Sequence, residues 1–301
     1  MPFSLFDTAG IEVGGLQSWY QGLQAELLRR GSQRPVSEWF HTIIYCVDGT
    51  GERITDAELN LIEGFIERKH RVIVVITKSG KIAVAKRQLL AERIESKFGH
   101  GVKCIFVNSV EEKLPTGPII ESFGLEDLKE ELVNGFWESL RIRMPDRCIA
   151  LLHECINGWR QRQKKTVRRQ VGRQSAEKIA EQLEEECDEF TEELVEDTLQ
   201  EIVVEELKRT VEDYGRFLQS IQIKMKVEQQ SLRLFTSLPS FKKLTLGERF
   251  SYLVSSEDEK IQKNADRLEA VLKKFAKRLK NEIIRKRPLL ESWINSLLQP
   301  N

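Results

Sequence analysis

The hydrophobic period of the chain changes once along its length. Over residues 1–143, short runs at 3–6, 42–47, 72–77 and 102–107 are rich in Val, Ile, Tyr or Phe and bounded by Gly, Asp, Asn or Ser. This predicts strands. Three of the runs are nearly unbroken in apolar character, as strands covered on both faces are. Residues 16–30, 56–68, 82–98 and 125–140 read as helices. In the second of these, Ala57, Leu61 and Phe65 lie four apart with Ile62 and Ile66 alongside, a single apolar stripe. Asp56, directly after Thr55, adds negative charge where the helix dipole favours it. Alternation at this spacing predicts an α/β domain over 1–143, built on a doubly wound, mostly parallel sheet.

Residues 144–301 contain no strand series and predict an all-α region. Ile179, Leu183, Cys187, Phe190 and Leu194, continued by Leu199, Val203, Leu207 and Val211, mark one stripe over 175–214. This is one helix roughly 60 Å long, or two with a bend. Such a stripe needs a partner, so antiparallel packing against the other C-terminal helices is expected. Leu238, Pro239 and Ser240 read as a turn, and Thr245 with Glu248 and Ser256 with Glu259 as capping boxes, the first weakened by Gly247. Ile261, Leu268, Leu272, Phe275 and Leu279 form a further stripe that ends at Pro288, and residues 289–298 a short terminal helix.

Composition changes this picture little. The 301 residues are 40% hydrophobic and 31% charged, and Lys plus Arg equals Asp plus Glu at 47 each. No global field points to a nucleic-acid or membrane partner. The longest aliphatic run, Val72 to Ile76, is five residues, far short of a membrane span. The first ten residues lack the basic start and long apolar core of a secretory signal. The five cysteines (Cys46, Cys104, Cys148, Cys155 and Cys187) are scattered, as thiols in a reducing cytoplasm are. Cys148, Cys155 and His153 are too few ligands for a metal site. The expected location is cytoplasmic, with a membrane-peripheral one as the alternative.

The candidate chemistry sits at strand ends. The first run leads into Asp7, Thr8, Ala9 and Gly10; the third empties into Thr77, Lys78, Ser79 and Gly80; the fourth ends at Val107, Asn108 and Ser109. In a doubly wound sheet these ends share one edge, where ligands bind. An Asp at a strand tip can hold a water on Mg²⁺, and a Gly three residues on can bring its N–H to a terminal phosphate. In order and spacing the three segments resemble the third, fourth and fifth signatures of the P-loop GTPases, especially the Era-like and related small bacterial GTP-binding proteins. The resemblance implies that Asp7 holds magnesium through water and that Gly10 senses the γ-phosphate. Thr77 and Lys78 would begin the guanine-reading segment, the lysine stem covering the base, and Asn108 and Ser109 would close over the guanine. The bland readings are a surface turn for Lys78 and a strand stop for Ser109.

Two departures from the family outweigh these matches. Position 80 is Gly where the family has the Asp that accepts both guanine N–H bonds, and the missing acceptor leaves donors unmatched. Asp48 and Asp56 are the nearest substitutes, with nothing favouring either. A GTPase also needs G-x-x-x-x-G-K-[ST] ahead of Asp7, and only six residues stand there. Gly49, Thr50 and Gly51 lack the Gly-Lys-Ser/Thr ending, and the switch threonine is missing too. In the family the P-loop strand lies between the strand before the Asp7 position and the one matching 42–47. Without it, either the flanking strands close up or the N-terminal strand is loosely held. No other catalytic constellation competes: a nucleophile elbow is absent, and His41 and His70 read as solvent-facing.

In the helical region Arg160, Arg162, Lys164, Lys165, Arg168, Arg169 and Arg173 form a basic run, followed by acid-dominated 177–206. Neutralisation of one by the other, within the bundle or between protomers, is the simplest expectation. A second basic run, 273–287, interleaves Leu279, Ile283 and Ile284, which also suits an anionic lipid surface. The expectation is a truncated or degenerate GTPase homologue that acts by protein contact or self-association and does not hydrolyse GTP. The alternatives are a GTP-binding hydrolase, using GTP and Mg²⁺, whose P-loop segment precedes this sequence, and a helical scaffold or peripheral membrane protein.

Overall fold

The structure is a computed structural model describing residues 5–8, 16–113, 119–218 and 257–298. These residues divide into two compact units. Residues 5–8, 16–31, 38–113, 119–143 and 214–218 belong to the first; 32–37, 144–213 and 257–298 belong to the second.

The first unit is a three-stranded parallel sheet in the order β1 (Thr42–Asp48), β2 (Arg71–Thr77), β3 (Lys103–Phe106). Helix α1 (Leu16–Arg29) precedes β1, and α2 (Asp56–Glu67) and α3 (Val84–Phe98) are the crossovers. Side chains alternate across the pleat. Val72, Val74 and Ile76 enter a core with Leu27 of α1, Ile62 and Phe65 of α2, and Leu90 and Ile94 of α3. Ile73 and Val75 enter a second core on the opposite face, beneath Leu128 and Leu132 of helix α4 (Leu125–Gln170). Helices on both faces explain why β2 is apolar at successive positions and buried from Arg71 to Ile76. Thr55 caps α2 in a full capping box with Glu58. A short antiparallel pair, β4 (Glu112–Lys113) and β5 (Ile119–Ile120), follows β3. Arg71 lies under α4, ion-paired to Glu131 and, at 3.0 Å, to Glu138.

Several expectations are corrected here. Leu5 and Phe6 form no strand, while residues 3 and 4 lie outside the described residues. Phe6 instead meets the Phe40 ring edge-on at 5.0 Å, with the Arg30 guanidinium 4.3 Å from its centroid. Ring packing holds this segment beside the sheet in place of ladder hydrogen bonds. Among the described residues no strand pairs with the outer edge of β1. His41 and His70 are half-buried: the His41 ring lies 4.8 Å from Phe136, and the His70 Nδ1 is buried without a hydrogen-bond partner among the described residues. The helix expected to end at 140 runs on through Pro145 to Gln170.

From residue 144 on, the described residues of the second unit are helices joined by short turns. It contains the later part of α4, α5 (Ala176–Val195), a π-helical segment (Glu196–Val203) that leads into α6 (Val204–Leu218, to Asp213 in this unit), α7 (Glu257–Arg285) and α8 (Arg287–Leu297). The stripe over 179–207 is buried except at half-buried Phe190, and its one irregular step runs from Leu194 to Leu199, both buried. A π turn takes up the additional residue and keeps the stripe on one side. Trp159 of α4 stacks on Phe190 of α5 at 4.7 Å and meets Phe275 of α7 at 5.7 Å. Helices α4 and α7 run antiparallel, with Lys280 donating to Asn157 at 2.6 Å at one level and Lys164 and Arg168 both paired to Glu269 at another. Two members of the first basic run, Lys164 and Arg168, thus find their acid on α7. The turn at 238–240, the Thr245–Glu248 box and Ser256 lie outside the described residues. Among the described residues, no helix is long and apolar enough to cross a membrane.

Candidate functional site

The parallel register brings Asp48, the last residue of β1, opposite Thr77, the last of β2. Beyond them the chain turns sharply. Asp48 caps a single turn, Gly49–Gly51, its Oδ1 accepting from the Thr50 amide at 2.9 Å and the Thr50 hydroxyl at 2.6 Å. Gly49 is required here, because a Cβ would lie 2.7 Å from the Thr77 carbonyl and 2.1 Å from Ile82 Cδ1. Lys78 turns the chain in the left-handed region, at φ 53°, and its Nζ donates to Asp48 Oδ2 at 2.5 Å. The Lys78 ammonium and the Thr50 donors hold the Asp48 carboxyl well below the usual carboxylate range. The Thr77 hydroxyl donates to the Val47 carbonyl at 3.2 Å, and buried Ser79 donates to the Ile76 carbonyl at 2.6 Å.

Asn108, just past β3, is 4% exposed. Its Nδ2 donates to the carbonyls of Val110 at 2.8 Å and Glu121 at 3.0 Å, while its backbone exchanges hydrogen bonds with Phe123. Gly80 backs directly onto it: a Cβ at position 80 would lie 2.9 Å from Asn108 Cγ and Oδ1, and 2.6 Å from Ile120 Cγ2.

Thr77, Lys78, Asn108 and Ser109 thus gather at the ends of β2 and β3, with Lys78 and Ser109 exposed. Asp7 is exposed and directly follows Phe6, whose ring packs on Phe40 just ahead of β1. Gly10 lies outside the described residues. Both substitute carboxylates have partners: Asp48 holds Lys78 and Thr50, and the exposed Asp56 accepts from Arg93 at 2.8 Å. The Asp48–Lys78 pair joins residues thirty apart in sequence, and only the β1–β2 register, set by two apolar runs of equal length, could have pointed to it.

Cys148 is fully buried and its thiol pushed up chiefly by burial, and half-buried Cys155 accepts from the Thr198 hydroxyl at 3.4 Å. Among the described residues no group of His, Cys, Asp and Glu side chains could hold a metal ion. The strand tips can therefore offer a ligand the exposed Lys78–Asp48 pair and Ser109. No protein-family model, curated protein or solved structure matches this chain.

Proposed function

We propose that the first unit is a G-domain-like scaffold that neither captures nor hydrolyses GTP, and that the chain acts through contacts with proteins. The observation that carries this reading is the packing of Gly80 against Asn108 and Ile120, which leaves no space for a guanine-accepting carboxylate. Asn108 supports it by donating its side-chain amide to two main-chain carbonyls, and Lys78 by its ion pair with Asp48. With position 80 closed and Lys78 held by Asp48, the residues present do not fit GTP and Mg²⁺.

Isothermal titration of the full chain with GTP and Mg²⁺ tests this. The expected result is no binding heat and no phosphate release; micromolar affinity overturns the reading.

A second reading, a hydrolase completed by an added P-loop strand, draws on the outer edge of β1, where Cys46 is exposed and Ile43 and Ile44 are half-buried. A longer chain that carries G-x-x-x-x-G-K-[ST] upstream and binds GTP would favour it.

A further inference from the structure

Charge on the second unit is segregated. On α5, Glu181, Glu185, Asp188 and Glu192 are all exposed, and their spacing of four, three and four places them in one stripe along the helix. None of these four makes an ion pair among the described residues. Lys178 is the single basic residue of α5.

The antiparallel seam of α4 and α7 carries the opposite sign. Lys273, Lys277 and Lys280 follow the same spacing on α7, and Arg160 and Lys164 approach from α4. Lys273 and Lys277 are exposed. A groove of about 400 Å³ lies on this seam, lined by Arg160, Lys164 and Lys273. Its acids, Asp266 and Glu269, are outnumbered, and Glu269 already holds Lys164 and Arg168. Burial, helped by the nearby Arg160 charge, lowers the Lys280 ammonium, as expected where like charges crowd.

We infer that the basic α4–α7 seam is the docking surface for the acidic α5 stripe of a second copy of this chain. This rests on the reading that the chain acts by protein contact and names the partner. Three observations favour a copy over an anionic membrane. The chain holds 47 charges of each sign, the two surfaces repeat at one helical spacing, and a lipid surface would leave the α5 stripe uncovered. In a two-fold pair both contacts form at once, whereas a head-to-tail contact propagates into larger assemblies.

Sedimentation velocity on the full chain tests the assignment. Wild type is expected to self-associate at about 50 mM salt and to dissociate at about 500 mM, where the screening length falls below the separation of the exposed charges. Lys273→Glu with Lys277→Glu, and separately Glu181→Lys with Glu185→Lys, should each weaken association by roughly a hundred-fold. These positions are exposed, and circular dichroism confirms that each variant is folded. The decisive arm mixes the two variants: each is monomeric alone, and the mixture re-associates because every contact is again between opposite charges.

A monomeric wild type at about 50 mM salt overturns the inference, as does a mixture that fails to associate. Recovery of the wild type on phosphatidylserine vesicles, lost in the lysine variant while self-association persists, overturns it in favour of a membrane. The nucleotide titration does not involve these residues, so failure of the docking surface and failure of the scaffold reading give different results.

Discussion

Replacing Gly80 by aspartate restores the residue that the GTPase signature carries, and the packing at this turn decides the outcome. The new Cβ falls 2.6 Å from Ile120 Cγ2 and 2.9 Å from both Cγ and Oδ1 of Asn108. Backbone or side chains must shift, and overpacking of this kind costs about 1–3 kcal/mol. The group that gives way is Asn108, whose amide donates to Val110 and Glu121 and so ties the end of β3 to the segment after β5. Losing those two bonds adds about 1 kcal/mol each.

The expected total for Gly80→Asp is roughly 3–5 kcal/mol, a fall of about 10 °C in melting temperature by calorimetry. Gly80→Ala should reproduce most of that fall, because the clash begins at Cβ. Neither variant should acquire affinity for GTP in titration. A Gly80→Asp chain that melts within about 2 °C of wild type, or that binds guanine nucleotide, refutes the reasoning. The turn would then be an open guanine site that had merely lost its carboxylate.

The remaining predictions concern buried charge. Arg71, 9% exposed, pairs with Glu131 and Glu138 and donates to the Gly101 carbonyl at 2.9 Å. Arg71→Leu leaves the Glu131 carboxylate of α4 without its cation and should reduce stability by about 3 kcal/mol in urea unfolding. His70 is held down to about 4, first by burial and then by the charges of Arg143 and Arg68. Its folded-state value lies below the ordinary 6.5, so the neutral ring is the form the fold accepts. Its contribution is whole above pH 6.5 and is withdrawn as the pH falls toward 4, by up to about 3 kcal/mol. His70→Gln should flatten the urea-midpoint profile across that window.

Local pattern made much of the first unit legible. The run from Val72 to Ile76 announced a strand covered on both faces, and Asp56 with the stripe behind it announced α2. What escaped was decided by distant contacts. The N-terminal apolar run was expected as a strand, but Phe6 finds an aromatic partner in Phe40 and a cation in Arg30, so no ladder forms. Helix α4 continues through Pro145 because Leu140, Met144, Cys148 and Leu152 are all fully buried, and that stripe outweighs the roughly 3 kcal/mol a proline costs inside a helix. The Leu194–Leu199 step of five was visible in the sequence, but only the burial of both residues identifies it as a π turn rather than a bend.

The two units manage polar groups in opposite ways, and this bears on where the chain meets other molecules. At the strand tips Lys78 closes on Asp48, Asn108 on two carbonyls and Ser79 on Ile76, so a ligand arriving there must break internal bonds before it makes its own. Hydrogen bonds contribute little net free energy when one partner is simply exchanged for another, and a buried group left without a partner is a clear loss. On α5 the four acids, and on α7 Lys273 and Lys277, instead face solvent in ordered rows, and at these positions a partner of opposite sign displaces only water and salt. A surface of that kind gains orientation and encounter rate from its charges without first disrupting the fold. If binding rather than turnover is what this chain does, the helices are where its specificity is written, and the sheet holds a shape whose polar contacts are already made.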